Sequence, residues 1–237
     1  MAILVQLRIL ALTPTSLVTS YLTPLALAAV IMSLYGRPTG ALVVGTVAAA
    51  IWNTLLLQSF FIVSQERAWG TMELLATTPA GLVASMLGRL IGAVVQAIVA
   101  IPFTLGLSLA AGGVPALGPW TLVLASLAVI LTGLTGAAFL HMALIIRYRS
   151  YTAFINGVFP LSIVFMGFFT PTERMPLGIG TIGRALAPTW AMDAIRQTSW
   201  QPLIMGAVTA GALLVAAAWY VSHLRQWIKN SPSAYQH

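Results

Sequence analysis

Long apolar runs alternate along this chain with short polar breaks, and the breaks hold most of its charge. The runs are Leu17 to Tyr35, Ala41 to Val63, Leu90 to Ala111, Trp120 to Ile146, Tyr151 to Thr170 and Leu203 to Leu224. Each comes close to or exceeds the ~20 residues a helix needs to cross hydrocarbon. The pattern predicts an all-α, polytopic membrane protein with six transmembrane helices, the first kinked at Pro24. Met1 to Leu12 is apolar around Gln6 and Arg8 and too short to span, so an N-terminal interfacial helix is expected there. Gly36-Arg37-Pro38, Gly112 to Pro115 and Gly118-Pro119 read as turns.

Two breaks are more than turns. Ser64 to Pro79 is a charged island containing Glu66, Arg67 and Glu73. Gly70 can end the preceding helix, because it adopts backbone angles other residues avoid. Thr71 is then a candidate N-cap, Glu73 falls in the first turn where a negative charge suits the helix dipole, and Pro79 disfavours helix at Thr78. About two helical turns fit, too few to be stable alone, so a support is expected. Met72, Leu74 and Leu75 are expected to form an apolar anchor for a partner's groove; a helical turn resting on the lipid surface is the alternative. The second break, Pro171 to Gln201, is mostly apolar and is divided by Gly178, Gly180 and Pro188. A re-entrant outer hairpin is expected, with Glu173, Arg174 and Gln197 to Gln201 reachable and Ile182 and Leu186 shielded by protein. Asp193 and Arg196 are spaced to pair on one face.

Composition narrows the class. The 237 residues are 59% hydrophobic and only 6% charged, which no soluble domain of this size would be. A single membrane domain over 1–237 is expected, with no separate soluble domain. Six spans put both termini on one side. If that side is the cytoplasm, Arg8, Arg67, Arg89, Arg147, Arg149, Arg225 and Lys229 lie inside, against Arg37, Arg174, Arg184 and Arg196 outside, an excess that favours both termini inside. The net charge of +7 follows topology and is no nucleic-acid signal, since aromatic-rich basic patches are absent. With no cysteine, disulfides and thiolate metal sites are excluded. The first residues lack the positive region of a signal peptide.

Catalytic chemistry is thin. Asp193 is the single aspartate, too few acids for a metal-dependent phosphotransferase. Gly106-Leu107-Ser108-Leu109 lacks the last glycine of an intramembrane protease element, and His141 has no obvious partner. No phosphate-binding loop exists, so ATP hydrolysis would need another chain. Scarce intramembrane carboxylates argue against a proton-driven carrier. Asn53, Gln58, Gln96, His141 and Asn156 lie within apolar runs and suit interhelical hydrogen bonds; Asn53 and Asn156 are also pathway candidates. The fifth run holds Phe154, Phe159, Phe165, Phe168 and Phe169, of which Phe159 and Phe165 are pathway candidates for an apolar cargo, lipid contact being the alternative.

Glu66-Arg67-x-x-Gly70-Thr71-x-Glu73-x-Leu75-x-x-Thr78-Pro79 resembles the signature of ABC-2 type transporter permeases. Asn156, Pro160, Gly167, Pro171, Pro176, and the segment Pro188 to Arg196 with Trp190, Asp193 and Arg196, are similar to the same family's fifth span and external gate. The resemblance implies a permease subunit of a bacterial ABC exporter in the plasma membrane. Its 64–79 segment would be the cytoplasmic coupling loop and 171–201 the external re-entrant segment. Glu66, Arg67, Gly70, Thr71, Met72, Glu73, Leu74, Leu75 and Pro79 would meet a separate ABC ATPase subunit, which binds ATP and Mg; this chain would carry no cofactor and no metal. A second permease subunit, identical or paralogous, would complete the pathway. The expected cargo is a hydrophobic or amphiphilic small molecule such as a drug or antibiotic, as in multidrug efflux. Alternatives are a lipid or lipid-linked glycan, or a membrane scaffold or embedded enzyme.

Overall fold

A computed structural model describes residues 39–78, 81–98, 100–110, 118–148 and 155–230, with isolated positions between 22 and 34. The expected interfacial helix, the first apolar run and Pro79 lie outside the described residues, those isolated positions apart. Among the described residues there are helices and no strands. In chain order they are α1 (Gly40–Ala68), α2 (Met72–Thr77), α3 (Gly81–Ile98), α4 (Ala100–Ala110), α5 (Trp120–Arg147), α6 (Ile155–Phe165), a 3₁₀ turn (Thr172–Arg174), α7 (Leu177–Arg184), α8 (Ala187–Gln197) and α9 (Gln201–Asn230). Four stretches are long and apolar enough to cross a membrane: Gly40–Ala68, Gly81–Leu107, Trp120–Arg147 and Gln201–Ile228.

α1 is apolar on every side, and a helix of that kind belongs in an interior. It is the hub: Ile51, Leu55, Leu56 and Ile62 are fully enclosed. Leu82, Met86 and Leu90 of α3 and Ile130, Leu134 and Phe139 of α5 pack into the same core. α9 lies along α5, and α8 is wedged between α1, α5 and α9. Small residues permit the close approaches, as expected where packing rather than water exclusion drives association. A Cβ at Gly133 would meet Ala187 Cβ at 2.7 Å, and one at Gly136 would meet the Leu214 backbone nitrogen at 3.1 Å.

The bundle has two distinct ends. The start of α1 lies beside Phe168 and Arg196, at the hairpin end, and its last turn meets α2 and the end of α5 at the loop end. α1, α5 and α9 therefore run one way and α3 the other. The chain leaves α5 at the loop end at Tyr148 and is at the hairpin end by Gly167, whose carbonyl binds Arg196.

Three expectations need correction. The third apolar helix begins at Gly81, not Leu90, so Leu82 to Arg89 is its first part rather than a lead-in. The described helix of the fifth run, α6, has 11 residues. It ends where Gly167 takes a φ of +67°, and 166–170 form turns rather than further helix. In the hairpin, α7 and α8 are the two expected pieces, and Leu186 is half-buried, but Ile182 is 54% exposed, uncovered by any described residue.

Candidate functional site

The charged island closes α1 with a specific hydrogen-bonded terminus. Gly70 adopts φ +65°. Its N–H donates to Arg67 O at 3.1 Å, and the Thr71 N–H donates to Glu66 O at 3.0 Å. These are the two bonds of a Schellman motif, with glycine at the left-handed position. The hydrophobic contact that usually accompanies the motif is polar here: the Thr71 hydroxyl donates to a Glu66 carboxylate oxygen. Thr71 is thus spent on the helix behind it. It makes no side-chain cap to α2, contrary to the sequence expectation.

Glu66 is 3% exposed, and its other oxygen lies 2.5 Å from a guanidinium nitrogen of Arg89 on α3. The Trp69 ring covers that guanidinium, 5.8 Å from its centroid, a cation–π distance. Arg67 turns the other way and donates to Ile145 O at 2.7 Å and Ile146 O at 3.2 Å. Those carbonyls end α5, where a cation satisfies orphan acceptors and complements the dipole. The Glu-Arg pair of the signature therefore fastens α1 to two neighbouring helices at once.

α2 follows as a helix of six residues. Met72 is buried and Leu75 half-buried against the bundle, whereas Leu74 is 63% exposed. Leu74 lies 200° round the helix from Met72, so the three apolar residues do not share a face. The backbone of Glu73 lies in the first turn; its side chain is outside the described residues. Among the described residues the exposed surface of the island is Ala68, Trp69, Gly70, Leu74 and Thr77.

Gly70 has open space around it, so an added Cβ meets nothing within 4 Å. Gly70→Ala should therefore cost only backbone strain, about 1–2 kcal/mol, and Gly70→Asn less. Thermal unfolding of the purified variants checks this; equal losses for both would mean that the left-handed conformation is not the constraint.

The hairpin end is braced by charge as well. Asp193, 8% exposed, accepts from the Thr172 hydroxyl at 2.9 Å and pairs with Arg196 at 3.4 Å, as the spacing predicts. Burial pushes the Asp193 carboxyl above its ordinary range, while Thr172 and Arg196 pull it back. Arg196 also donates to Gly167 O at 2.7 Å and Phe168 O at 3.1 Å. Trp190 Nε1 donates to Arg184 O at 2.7 Å, tying α8 to α7. Pro176 is exposed at the start of α7. A cleft of ≈ 290 Å³ opens here, lined by Leu42, Phe168, Phe169, Pro171 and Arg196 among others.

The pathway candidates do not come together. Asn53 is buried in α1, and its amide nitrogen has no hydrogen-bond partner among the described residues. Phe165 is half-buried at the hairpin end, and the side chains of Asn156 and Phe159 lie outside the described residues. His141 does have a partner: its Nδ1 lies 2.7 Å from Ser59 Oγ, joining α5 to α1. Both are buried. Trp52 Nε1 and Ser162 Oγ, 2.5 Å apart, link α1 to α6. Among the described residues no group of acids and histidines could hold a metal.

The sequence reading missed Arg89 and Thr172 as partners. It counted Arg89 only as a topology charge; a lone cation at the start of an apolar run, facing a motif glutamate across a short loop, was the available signal. No protein-family model matches the chain, and no curated protein matches it in sequence.

Proposed function

We propose that this chain is the membrane-spanning permease subunit of an ATP-driven exporter of the ABC-2 type, in the bacterial plasma membrane with both termini cytoplasmic. One observation carries the reading. The charged island is split between a buried half that grips the bundle and an exposed half, in which Leu74 is 63% exposed and Trp69, although its ring covers the Arg89 guanidinium, still leaves 56% of its surface open. A short helix presenting an apolar side chain suits a partner's groove. The partner would be a soluble ATPase subunit that binds ATP and Mg. Its movement would reach α3 through Glu66 and Arg89, and α5 through Arg67.

The common direction of α1, α5 and α9, opposed to α3, supports a count of six spans. The fifth crosses between Tyr148 and Gly167, and the first precedes α1. The hairpin begins and ends at one end of the bundle and exposes Ile182, which supports a re-entrant segment meeting lipid or a second permease subunit. The apolar cleft at Phe168, Phe169 and Pro171, with Arg196 on its wall, supports a hydrophobic or amphiphilic cargo.

The isolated chain should hydrolyse no ATP. Trp69→Ala and Leu74→Glu should weaken capture of the ATPase subunit at least tenfold, measured by titration in detergent. Leu74→Glu should change stability by no more than about 0.5 kcal/mol, because the side chain is exposed. Trp69→Ala should cost up to about 1 kcal/mol, because its ring covers the Arg89 guanidinium. Full-strength binding by both variants, or ATP turnover by the chain alone, would reject the proposal.

A further inference from the structure

α9 meets both special segments of the molecule. At the loop end, Arg225 donates to Thr78 O at 3.3 Å, just past α2. The same guanidinium lies against Gly81, where an added Cβ would meet it at 3.3 Å. At the hairpin end, Gly206 is pressed to α8: an added Cβ would meet Trp190 Cβ at 3.2 Å and Ala187 O at 3.4 Å. Between these contacts α9 is unbroken helix, and its one proline, Pro202, sits in its first turn. Gly206 and Arg225 are thus the two ends of a continuous helical stretch of about 29 Å. The segments it touches are bounded by residues in the left-handed region. Gly70 and Gly81 flank α2 with positive φ, and Thr198, between α8 and α9, has φ +50°.

We propose that α9 is a strut that transmits the position of the 64–79 loop to the hairpin, with Arg225 as the positioning residue at its loop end. The physiological meaning rests on the permease reading above, in which the loop is pushed by an ATPase and the hairpin guards the exit. The mechanical link does not depend on it. Arg147, 4.0 Å over the Trp227 ring, holds the last turns of α9 on α5 independently. Loss of Arg225 therefore releases the loop rather than the helix.

The absence of native cysteine allows a direct test with the purified full chain in lipid nanodiscs, where a thiol reagent reaches both faces. Thr77→Cys reports the loop and Ser199→Cys the hairpin. Arg225→Ala should change both labelling rates at least threefold, and Arg225→Lys, which keeps a donor for Thr78 O, should return both to within twofold of the parent. Coupling between two sites is reciprocal. Gly206→Ala, a perturbation from the other end, should therefore alter the rate at Thr77→Cys. If Arg225→Ala changes only the loop probe and Gly206→Ala only the hairpin probe, the strut is rejected. Should Arg225→Ala fail to accumulate, the Gly206→Ala arm decides alone. Labelling needs no nucleotide, ATPase or cargo, so its result and that of the binding titration stand or fall separately.

Discussion

Glu66→Ala should cost about 3–5 kcal/mol of stability, because it strands a buried guanidinium. Arg89 is 8% exposed and pairs with Glu66 at 2.5 Å, so no water replaces the lost carboxylate without opening the packing. The Thr71 hydroxyl loses the carboxylate in the same variant and keeps only the longer bond to Glu66 O at 3.4 Å, which loosens the closing turn of α1. Glu66→Leu combined with Arg89→Met should behave differently. Exchanging both partners of a buried pair for apolar groups of similar volume is often neutral or stabilising. The double variant should regain most of the loss, as read by thermal unfolding of purified protein in detergent. A double variant as unstable as the single one would mean that the loop is anchored elsewhere. Arg67 makes a useful contrast, since it is half-buried and donates to the Ile145 and Ile146 carbonyls at the end of α5. Arg67→Ala should cost less than Glu66→Ala.

The second large effect is expected at Gly45. The Phe168 carbonyl occupies the place where a Cβ on this glycine would sit, and the Met192 methyl lies 3.5 Å from it. A side chain there cannot be absorbed by a rotamer change, because the obstacle is backbone. Gly45→Ala should cost about 3 kcal/mol, the upper end for overpacking, and Gly45→Val more. It should also free the 166–170 turn, which Arg196 holds from the other side. Gly106 and Gly211 provide internal controls, since an added Cβ at either meets nothing within 4 Å. Alanine at those positions should be neutral or stabilising by up to about 1 kcal/mol, from helix propensity alone. Melting temperatures of the three alanine variants decide the matter: a Gly45→Ala protein that melts with the parent would refute the close approach.

The four helices long enough to cross a membrane were legible because such helices announce themselves by length and polarity, and Gly70 was legible because few residues tolerate its backbone angles. What sequence could not supply was register between helices. Nothing local says that Glu66 on α1 meets Arg89 on α3, 23 positions away and beyond two turns of unknown geometry. The same gap explains Thr71. Read locally, a threonine before a short helix is a cap; in the structure a nearby carboxylate competes for the hydroxyl and wins. Leu74 failed for a simpler reason, since apolar character was taken for a shared face without the helical angle. At the hairpin, the Asp193–Arg196 spacing was readable because it is local, whereas the bond from Thr172 spans 21 positions and was not.

The enclosure of α1 also bears on how the protein is made. Its apolar window is 89% buried inside the finished bundle, against 22% for α9. Thr54, Gln58 and Ser59 lie on it, buried only because later helices cover them. Synthesis runs from the N-terminus, so α1 leaves the ribosome before α3, α5 and α9 exist. During that interval its hydroxyls bond carbonyls of their own helix, but the Gln58 amide has lipid or the insertion machinery for company, and polar groups in hydrocarbon are costly. The Ser59 hydroxyl has Leu56 O of its own helix at 2.7 Å, but its second partner, His141, lies 82 residues downstream. The hub of the mature fold is therefore the helix most exposed to misassembly at birth, and the step most in need of a membrane chaperone is its burial.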